Sequence, residues 1–215
     1  MNDTRSRLLD TACELFARDG FDITMEAIRL KAGVSSGSLH HFFRNHEALA
    51  CALFKQLHEA SIERRTNAIG NHVGKPTAGL IALQRGEVAF AAERPAQARV
   101  HQMLAAMVWS KKMVPSVATW RAEQDEQFRR SLESLIGTNP GPGAALSALV
   151  MAIEGCASRL LAGDLGGVPA VDMDKITGDI GAALCKGFGI PLKVATRPDQ
   201  TERSRKASRQ PDFFC

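Results

Sequence analysis

The sequence has no tyrosine, and its five cysteines are scattered singly along 215 residues. No two of them form a Cys-x-x-Cys pair, and no cysteine lies beside histidines at a zinc-binding spacing. The pattern therefore gives no basis for a disulfide framework or a structural metal site, and we expect no cofactor. The cysteines are expected to be small buried side chains, with a thiol sensor as the alternative.

Long apolar runs are also missing. The N-terminal residues are charged and lack the apolar segment of a signal peptide. The most apolar stretch, residues 144–153, ends at Glu154 and is shorter than the roughly 18 residues that a transmembrane helix needs. We therefore expect a cytoplasmic protein without a membrane partner.

The positive charge is unevenly distributed. The net charge is +4, but acidic residues outnumber basic ones in residues 1–48, and residues 191–215 hold most of the basic surplus. This tail is polar and basic, so the sequence predicts that it is disordered. Net charge by itself is therefore a weak indication of a nucleic-acid partner.

Strand-like alternation of apolar and polar residues is absent, and apolar residues recur at helical spacing instead. We predict an all-α fold. Thr24, Ser35 and Asn45 are suited to cap the N-termini of the second, third and fourth helices. Gly20 and Gly33 are suited to end the first and second helices in the left-handed conformation. Further helices are predicted over residues 77–92, 96–109, 115–136, 143–162 and 173–188.

Two short helices joined by a glycine turn form the most informative feature. Ala27 and Ala32 allow these helices to approach closely, and Gly33 supplies the turn between them. This arrangement is typical of a helix-turn-helix, whose second helix enters the major groove of DNA. That helix would present small hydroxyl residues and histidines, namely Ser35, Ser36, Gly37, Ser38, His40 and His41. Small hydroxyl side chains allow close approach and bond phosphates or base edges.

The same region contains no acidic residue from position 27 to position 46. It does contain the cations Arg29, Lys31 and Arg44, together with His40, His41 and His46. An acid-free basic surface suits a polyanion, so Arg29 and Arg44 join the candidate DNA contacts. On these residues alone, the alternative is a small three-helix unit whose surface is basic for no functional reason.

Three consecutive stretches resemble the DNA-binding domain of the tetracycline-repressor (TetR) family. They are LLDTACELF at residues 8–16, AGVSSGSL at residues 32–39 and HHFFRNHEAL at residues 40–49. The resemblance implies a transcriptional repressor that binds a double-stranded DNA operator as a homodimer and is released by a small-molecule effector. It also implies a three-helix DNA-binding domain over residues 1–48, a helical ligand-binding and dimerisation domain over 49–190, and the tail 191–215.

The resemblance further implies roles for single residues. Ser38 and His41 are expected to read base edges, and the phosphate contacts are expected from Thr24, His40, Arg44 and His46. The family usually has tyrosine at the position of His40, lysine at that of His46 and a small residue at that of Arg29. If both histidines lie near phosphates, operator affinity should rise as the pH falls from about 8 to 6, because the polyanion favours their protonated forms.

Two helical stripes of methionine and aromatic residues predict a pocket for a small, largely apolar effector. Met103 and Met107 lie on one stripe, and Trp120, Gln124 and Phe128 lie on the other. Ordinary core packing is the alternative for these side chains. The small residues of the predicted helix 143–162 favour a dimer seam with the helix 173–188, and burial within one subunit is the alternative there.

The sequence does not indicate an enzyme. It contains no Ser/His/Asp arrangement, phosphate-binding loop or paired inward carboxylates, and the histidines of the second half stand alone. A remaining alternative is a helical interaction protein with a degenerate DNA-binding domain. Histidine at positions 40 and 46 keeps that alternative open.

Overall fold

The computed structural model describes residues 2–136 and the isolated helical positions 155, 175, 178, 179, 182, 183 and 186. Within residues 2–136 all regular structure is helical, so the predicted all-α fold is confirmed there. The helices are α1 (Asn2–Asp19), α2 (Met25–Ala32), α3 (Ser36–Phe42), α4 (His46–Gly70), α5 (Pro76–Glu93), α6 (Pro95–Trp109) and α7 (Pro115–Ile136). Apart from the isolated positions, the predicted helices 143–162 and 173–188, their dimer seam and the tail 191–215 lie outside the described residues.

The predicted N-caps are confirmed. The backbone N–H of Ala27 donates to the Thr24 hydroxyl at 3.1 Å, and that of Ser38 donates to the Ser35 hydroxyl at the same distance. The N–H of Ala48 donates to the Asn45 side-chain oxygen at 2.8 Å. Each bond satisfies a donor that the first turn of a helix leaves without a partner, so α2, α3 and α4 begin at defined residues.

Two glycines end helices in the left-handed region, as predicted. Gly20 has a φ of 87° after α1, and Gly33 has a φ of 65° after α2. The N–H of Gly33 donates to the Leu30 carbonyl at 3.2 Å, which closes the last turn of α2. Because other residues adopt this backbone conformation only with strain, the tight turn between α2 and α3 depends on Gly33.

Helix α4 continues through the predicted domain boundary at residue 48. It begins at His46, beside the N-terminal helices, and ends at Gly70. Its first half packs in the N-terminal core through Leu49 and Leu53, and its second half packs against α5 and α7. A single helix therefore joins the two predicted domains.

The first hydrophobic core combines the N-terminal helices with α6 and the start of α7. Leu9 of α1 and Leu53 of α4 are buried together with Val100, Leu104 and Val108 of α6. Helix α6 packs directly against α1. The N-terminal unit consequently buries its apolar surface against the second half of the chain.

A second core lies between α4, α5 and α7. Its buried members include Ile62, Leu83, Phe128 and Leu132. At Gly79 of α5, an added Cβ would lie only 2.6 Å from a terminal methyl carbon of Leu135. The missing side chain therefore allows α5 and α7 to approach closely at this point. Across the described helices, none is long and apolar enough to span a membrane.

We predict that Leu104→Ala destabilises the fold by about 2–5 kcal/mol, because Leu104 is fully buried where α6 meets the N-terminal core. Urea unfolding of the full chain measures the change. The matched control is Leu30→Ala, since Leu30 is 62% exposed on α2 and should change the free energy of unfolding by no more than about 0.5 kcal/mol. Equal losses in the two variants would show that α6 is not part of the first core.

Candidate nucleic-acid interface and internal cavity

Helix α3 presents the predicted recognition residues to solvent. Leu39 is buried on the inner face of α3, and Phe43 is buried just after the helix ends. Ser36, Gly37 and His41 are exposed. The two apolar anchors hold the helix against the core, so its polar face is presented on a rigid support.

The hydroxyls that cap α2 and α3 also lie at the candidate DNA-binding surface. The Ser35 and Ser38 hydroxyl oxygens lie 2.9 Å apart, and Ser35 also accepts the Ser38 N–H. This pair orients the half-buried Ser38 side chain at the N-terminal end of α3. Thr24 is exposed at the start of α2 while its hydroxyl accepts the Ala27 N–H. The Thr24 hydroxyl retains its donor for a phosphate, and either hydroxyl can be the donor in the bond between Ser35 and Ser38. The phosphate and base contacts of Thr24 and Ser38 stay predictions.

Two of the three fixed cations in the acid-free stretch are neutralised by acids outside that stretch. Arg29 makes a bidentate contact with Glu26, with N–O distances of 2.6 and 2.7 Å, and donates to the Val34 carbonyl at 2.9 Å. Lys31 forms a 2.9 Å ion pair with Glu14 of α1. Arg29 therefore braces the turn between α2 and α3, and Lys31 ties α2 to α1. The basic surface expected from the sequence is weaker than the acid-free stretch suggested.

Arg44 is exposed, and no ion pair to it is seen within the described part of the chain. Arg5 lies nearby, with its guanidinium carbon 5.8 Å from the centre of the Phe43 ring. Sequence reasoning missed Arg5. Its position one turn before Leu8 and Leu9 places it beside the buried face of α1, and that spacing was the available signal. Arg5 and Arg44 are both exposed cations close to Phe43.

His46 does not present its ring as the sequence suggested. The ring packs against Phe16 and Phe21, with centroid distances of 5.4 and 4.5 Å. Its Nε2 is buried and has no hydrogen-bond partner among the described residues. Burial lowers the pKa of His46 below its ordinary value, although a hydrogen bond with the Ile23 backbone and the charge of Asp22 act in the opposite direction. The phosphate contact expected of His46 stays a prediction, and in the DNA-free structure its ring is directed into an aromatic cluster.

The described part of the second half contains a cavity of about 280 Å³ between α4, α5, α6 and α7. Its lining is rich in charge. Arg64 and Arg65 of α4, Glu87 of α5 and Arg121 of α7 all contribute side chains. Phe90, several alanines of α5 and α6 and Trp109 supply apolar surface.

A buried ion cluster forms one wall of the cavity. Glu87 accepts from Arg64 at 3.0 Å and from Arg65 at 2.9 Å. Burial alone would raise the pKa of Glu87, but the two guanidinium groups outweigh it and hold that pKa below its usual value. Glu87 is consequently ionised and occupied by two partners. The Arg64 guanidinium also stacks 3.9 Å from the Phe90 ring centre.

Two histidines form a second wall. The His58 Nδ1 and His101 Nε2 atoms lie 3.1 Å apart, and the His58 Nε2 lies 3.2 Å from Asp125 Oδ1. Phe54 stacks on both rings. Burial, followed by the electrostatic influence of His58 and Arg65, lowers the pKa of His101 to about 3, so its imidazole is neutral near pH 7.

The five side chains predicted to contact an effector lie outside the lining of this cavity. Met103, Met107 and Trp120 pack against the first core, and Phe128 is buried in the second. Gln124 is half-buried on α7. Their role as ligand contacts stays a prediction. Sequence reasoning missed the charged lining because Arg64 and Arg65 lie on α4 and Glu87 lies on α5, and no local pattern links the two helices.

The cysteines in the described residues do not favour a thiol sensor. Burial, followed by the charges of Asp10 and Glu14, raises the pKa of Cys13 to about 11. Burial also raises the pKa of Cys51. Both thiols are therefore protonated near pH 7 and weakly reactive. Among the described residues no cluster of side chains is suited to hold a metal ion.

We predict that Phe21→Ala raises the pKa of His46 toward its ordinary value of 6.5, because water gains access to the ring. An NMR titration of the imidazole resonances, assigned with His46→Asn, measures the change. In the unaltered protein, the His46 contribution to the free energy of unfolding should decrease as the pH falls below 6.5, since the unfolded chain binds a proton that the folded ring does not.

The matched control is Phe90→Ala, which removes an aromatic ring in the cavity and should leave the His46 pKa unchanged. A His46 pKa above 6.5 in the unaltered protein would contradict the packing described for the ring.

Comparison with known proteins agrees with the interface geometry. The sequence model described as "Bacterial regulatory proteins, tetR family" matches residues 8–53. The HTH-type transcriptional regulator UidR of Escherichia coli K12 is 30% identical over 141 residues, covering 63% of this chain and 72% of UidR. UidR of Shigella flexneri matches to the same extent.

Solved structures share the fold at low sequence identity. A regulator of the tetR family from Rhodococcus RHA1 has a TM-score of 0.70 and 17% identity, covering 87% of this chain and 98% of its own. A TetR family regulator from Marinobacter aquaeolei VT8 has a TM-score of 0.68 and 17% identity, covering 85% and 95%. A regulator from Saccharomonospora viridis, solved in complex with choline, has a TM-score of 0.63 and 17% identity, covering 83% and 95%.

These relatives are regulators of transcription rather than enzymes, which confirms the expectation that the chain is not an enzyme. The helix-turn-helix, the match of the N-terminal helices and the similarity to UidR together lead to one conclusion. The chain belongs to the TetR family of DNA-binding transcriptional regulators.

Proposed function

We propose that the protein is a repressor that binds its operator as a homodimer and is released by a small effector held in the internal cavity. The observation that carries this proposal is the presentation of α3, whose small polar residues face solvent on a capped and rigidly packed helix-turn-helix. We place its action in the cytoplasm, where a bacterial regulator meets its operator.

On the DNA side, the N-terminal end of α3 would enter the major groove. Ser36 and Gly37 are exposed and small, so the helix backbone can approach the bases closely. Ser38 and His41 would read base edges. Arg44 and Thr24 would contact phosphates on the flanking backbone. Arg29 is assigned a supporting role instead, because its donors already hold Glu26 and the Val34 carbonyl.

The homodimer follows from the small size of one recognition helix. A seven-residue α3 can contact only a few base pairs, so a second copy is needed to specify an operator. Two-fold symmetry would place the two α3 helices about 34–36 Å apart, in consecutive major grooves.

Effector release requires a mechanical link between cavity and DNA, and two helices are placed to supply it. Helix α4 begins at His46 beside the recognition unit and carries Arg64 and Arg65 into the cavity wall. Helix α6 contributes Leu104 to the core shared with α1 and His101 to the cavity. A ligand that shifts either helix would therefore displace the recognition helices from DNA, provided that it binds the DNA-free form more tightly.

A helical interaction protein with a degenerate DNA-binding domain is the second candidate. The inward ring of His46 and the neutralised charges of Arg29 and Lys31 favour it, since each reduces the cationic surface available to DNA. Selection of duplexes from random DNA distinguishes the two. The repressor predicts enrichment of a two-fold symmetric motif, and the interaction protein predicts no enrichment over the starting pool.

We predict that Arg44→Ala weakens binding to all duplexes alike and lowers the slope of log affinity against log salt by about 1, because one phosphate contact is lost. Fluorescence anisotropy at several salt concentrations measures the slope. Arg130→Ala is the control, since Arg130 lies 74% exposed on α7 and should leave the slope unchanged. A sequence-selective loss with an unchanged slope would assign Arg44 to base reading instead.

A further inference from the structure

We infer that the effector is a small organic acid, whose carboxylate binds Arg121 and Arg64 and whose ring body lies among the apolar residues of the cavity. This inference rests on the proposed function, because it identifies the ligand class of the same cavity. It also revises the largely apolar ligand expected from the methionine and aromatic stripes, since the residues that line the cavity are different ones.

The charge balance of the lining favours an anion. Among the described residues, three arginines line the cavity, and Glu87 is the one carboxylate that does so. Glu87 is already bonded to both Arg64 and Arg65. His101 is neutral near pH 7, because burial strongly lowers its pKa. With Asp125 beside Arg121 counted as well, three arginines face two carboxylates among the described residues, so the cavity favours an anion over a cation.

Two of the arginines have donors for which the described residues supply no acceptor. Arg121 donates through Nε to Asp125 at 3.1 Å, and the bonds seen for it in the described residues involve that atom alone. The planar guanidinium therefore keeps its terminal NH groups for an acceptor. Arg64 donates through one terminal nitrogen to Glu87 and Ser61, and the bonds seen for it in the described residues leave its other terminal nitrogen unused. Charge-assisted hydrogen bonds from these terminal NH groups to a ligand carboxylate are favourable.

The apolar lining and the volume of the cavity determine which organic group fits beside the carboxylate. Trp109 lines the cavity yet is 76% exposed, so it lies at the cavity mouth. Phe90 and alanines of α5 and α6 supply flat apolar walls. The volume of about 280 Å³ is roughly twice that of an engineered cavity of about 150 Å³ that binds benzene. The space therefore suits one or two rings in addition to the carboxylate.

The test uses matched ligands that differ in charge. Benzoate and naphthoate are compared with benzamide, naphthamide and naphthylmethylammonium, and inorganic phosphate represents a bare anion. Thermal shift and titration calorimetry are carried out on the full chain without DNA. We expect at least one carboxylate to bind with a Kd below about 1 mM, and its amide to bind at least about tenfold more weakly. The ammonium compound should not raise Tm.

Variants of the lining residues test which arginines bind the ligand carboxylate. Arg121→Gln and Arg64→Gln should each weaken carboxylate binding at least about tenfold. Arg130→Gln, an exposed arginine on the same helix as Arg121, should leave it unchanged. Glu87→Gln independently tests the sign of the ligand charge. Loss of the one carboxylate among the described lining residues should strengthen the binding of an acid and would weaken that of a cation. Urea unfolding verifies that each variant folds.

The outcomes separate this inference from the proposed function. Equal binding of amide and carboxylate, binding of the ammonium compound, binding of phosphate alone or absence of carboxylate binding would each overturn the inference. None of those results would affect operator binding by the protein. Conversely, a carboxylate that binds with the expected variant pattern but leaves operator affinity unchanged would support the ligand class and contradict effector release.

Discussion

The packing of α6 against α1 is the interaction on which the rest of the structure depends. Leu104 of α6 is fully buried in the same core as Leu9 and Leu53, so the DNA-binding helices complete their core only with a helix from the second half. Another face of α6 lines the cavity through His101 and Trp109. A displacement of this helix therefore reaches both the cavity and the recognition unit. The long helix α4 makes a second connection of the same kind, because it passes from the aromatic cluster around His46 to the buried ion cluster.

The candidate DNA-binding surface and the cavity differ in chemistry. The DNA-binding surface is made of small hydroxyl residues and few free cations, because Glu26 and Glu14 neutralise the neighbouring basic side chains. Such a surface depends on close fit and base contacts more than on bulk charge. The cavity, in contrast, concentrates arginines in a partly enclosed space, where charge interactions are stronger than in water. The proposed DNA contacts therefore rely on modest electrostatics, whereas the cavity holds strong charge interactions.

Sequence reasoning predicted the features that depend on neighbours a few residues apart. The caps at Thr24, Ser35 and Asn45 act over three residues, and the turn at Gly33 depends on one backbone conformation, so all four could be read from the sequence. Features that depend on distant partners could not be read. The Lys31 pair needs Glu14, the His46 ring needs Phe16 and Phe21, and the cavity wall joins Arg64 and Arg65 of α4 to Glu87 of α5. The methionine and aromatic stripes indicated helical packing, but a stripe by itself does not distinguish core from ligand contact.

The central claim is that operator and cavity are coupled through α6, and amide hydrogen exchange tests it most directly. An operator duplex obtained by selection is added to the full chain, and exchange is followed along the described helices. The coupled structure predicts slower exchange in α6 (Pro95–Trp109) as well as in α2 and α3, although α6 makes no proposed DNA contact. Protection confined to Met25–Phe42 would contradict the account, because the recognition unit would then respond to DNA independently of the cavity.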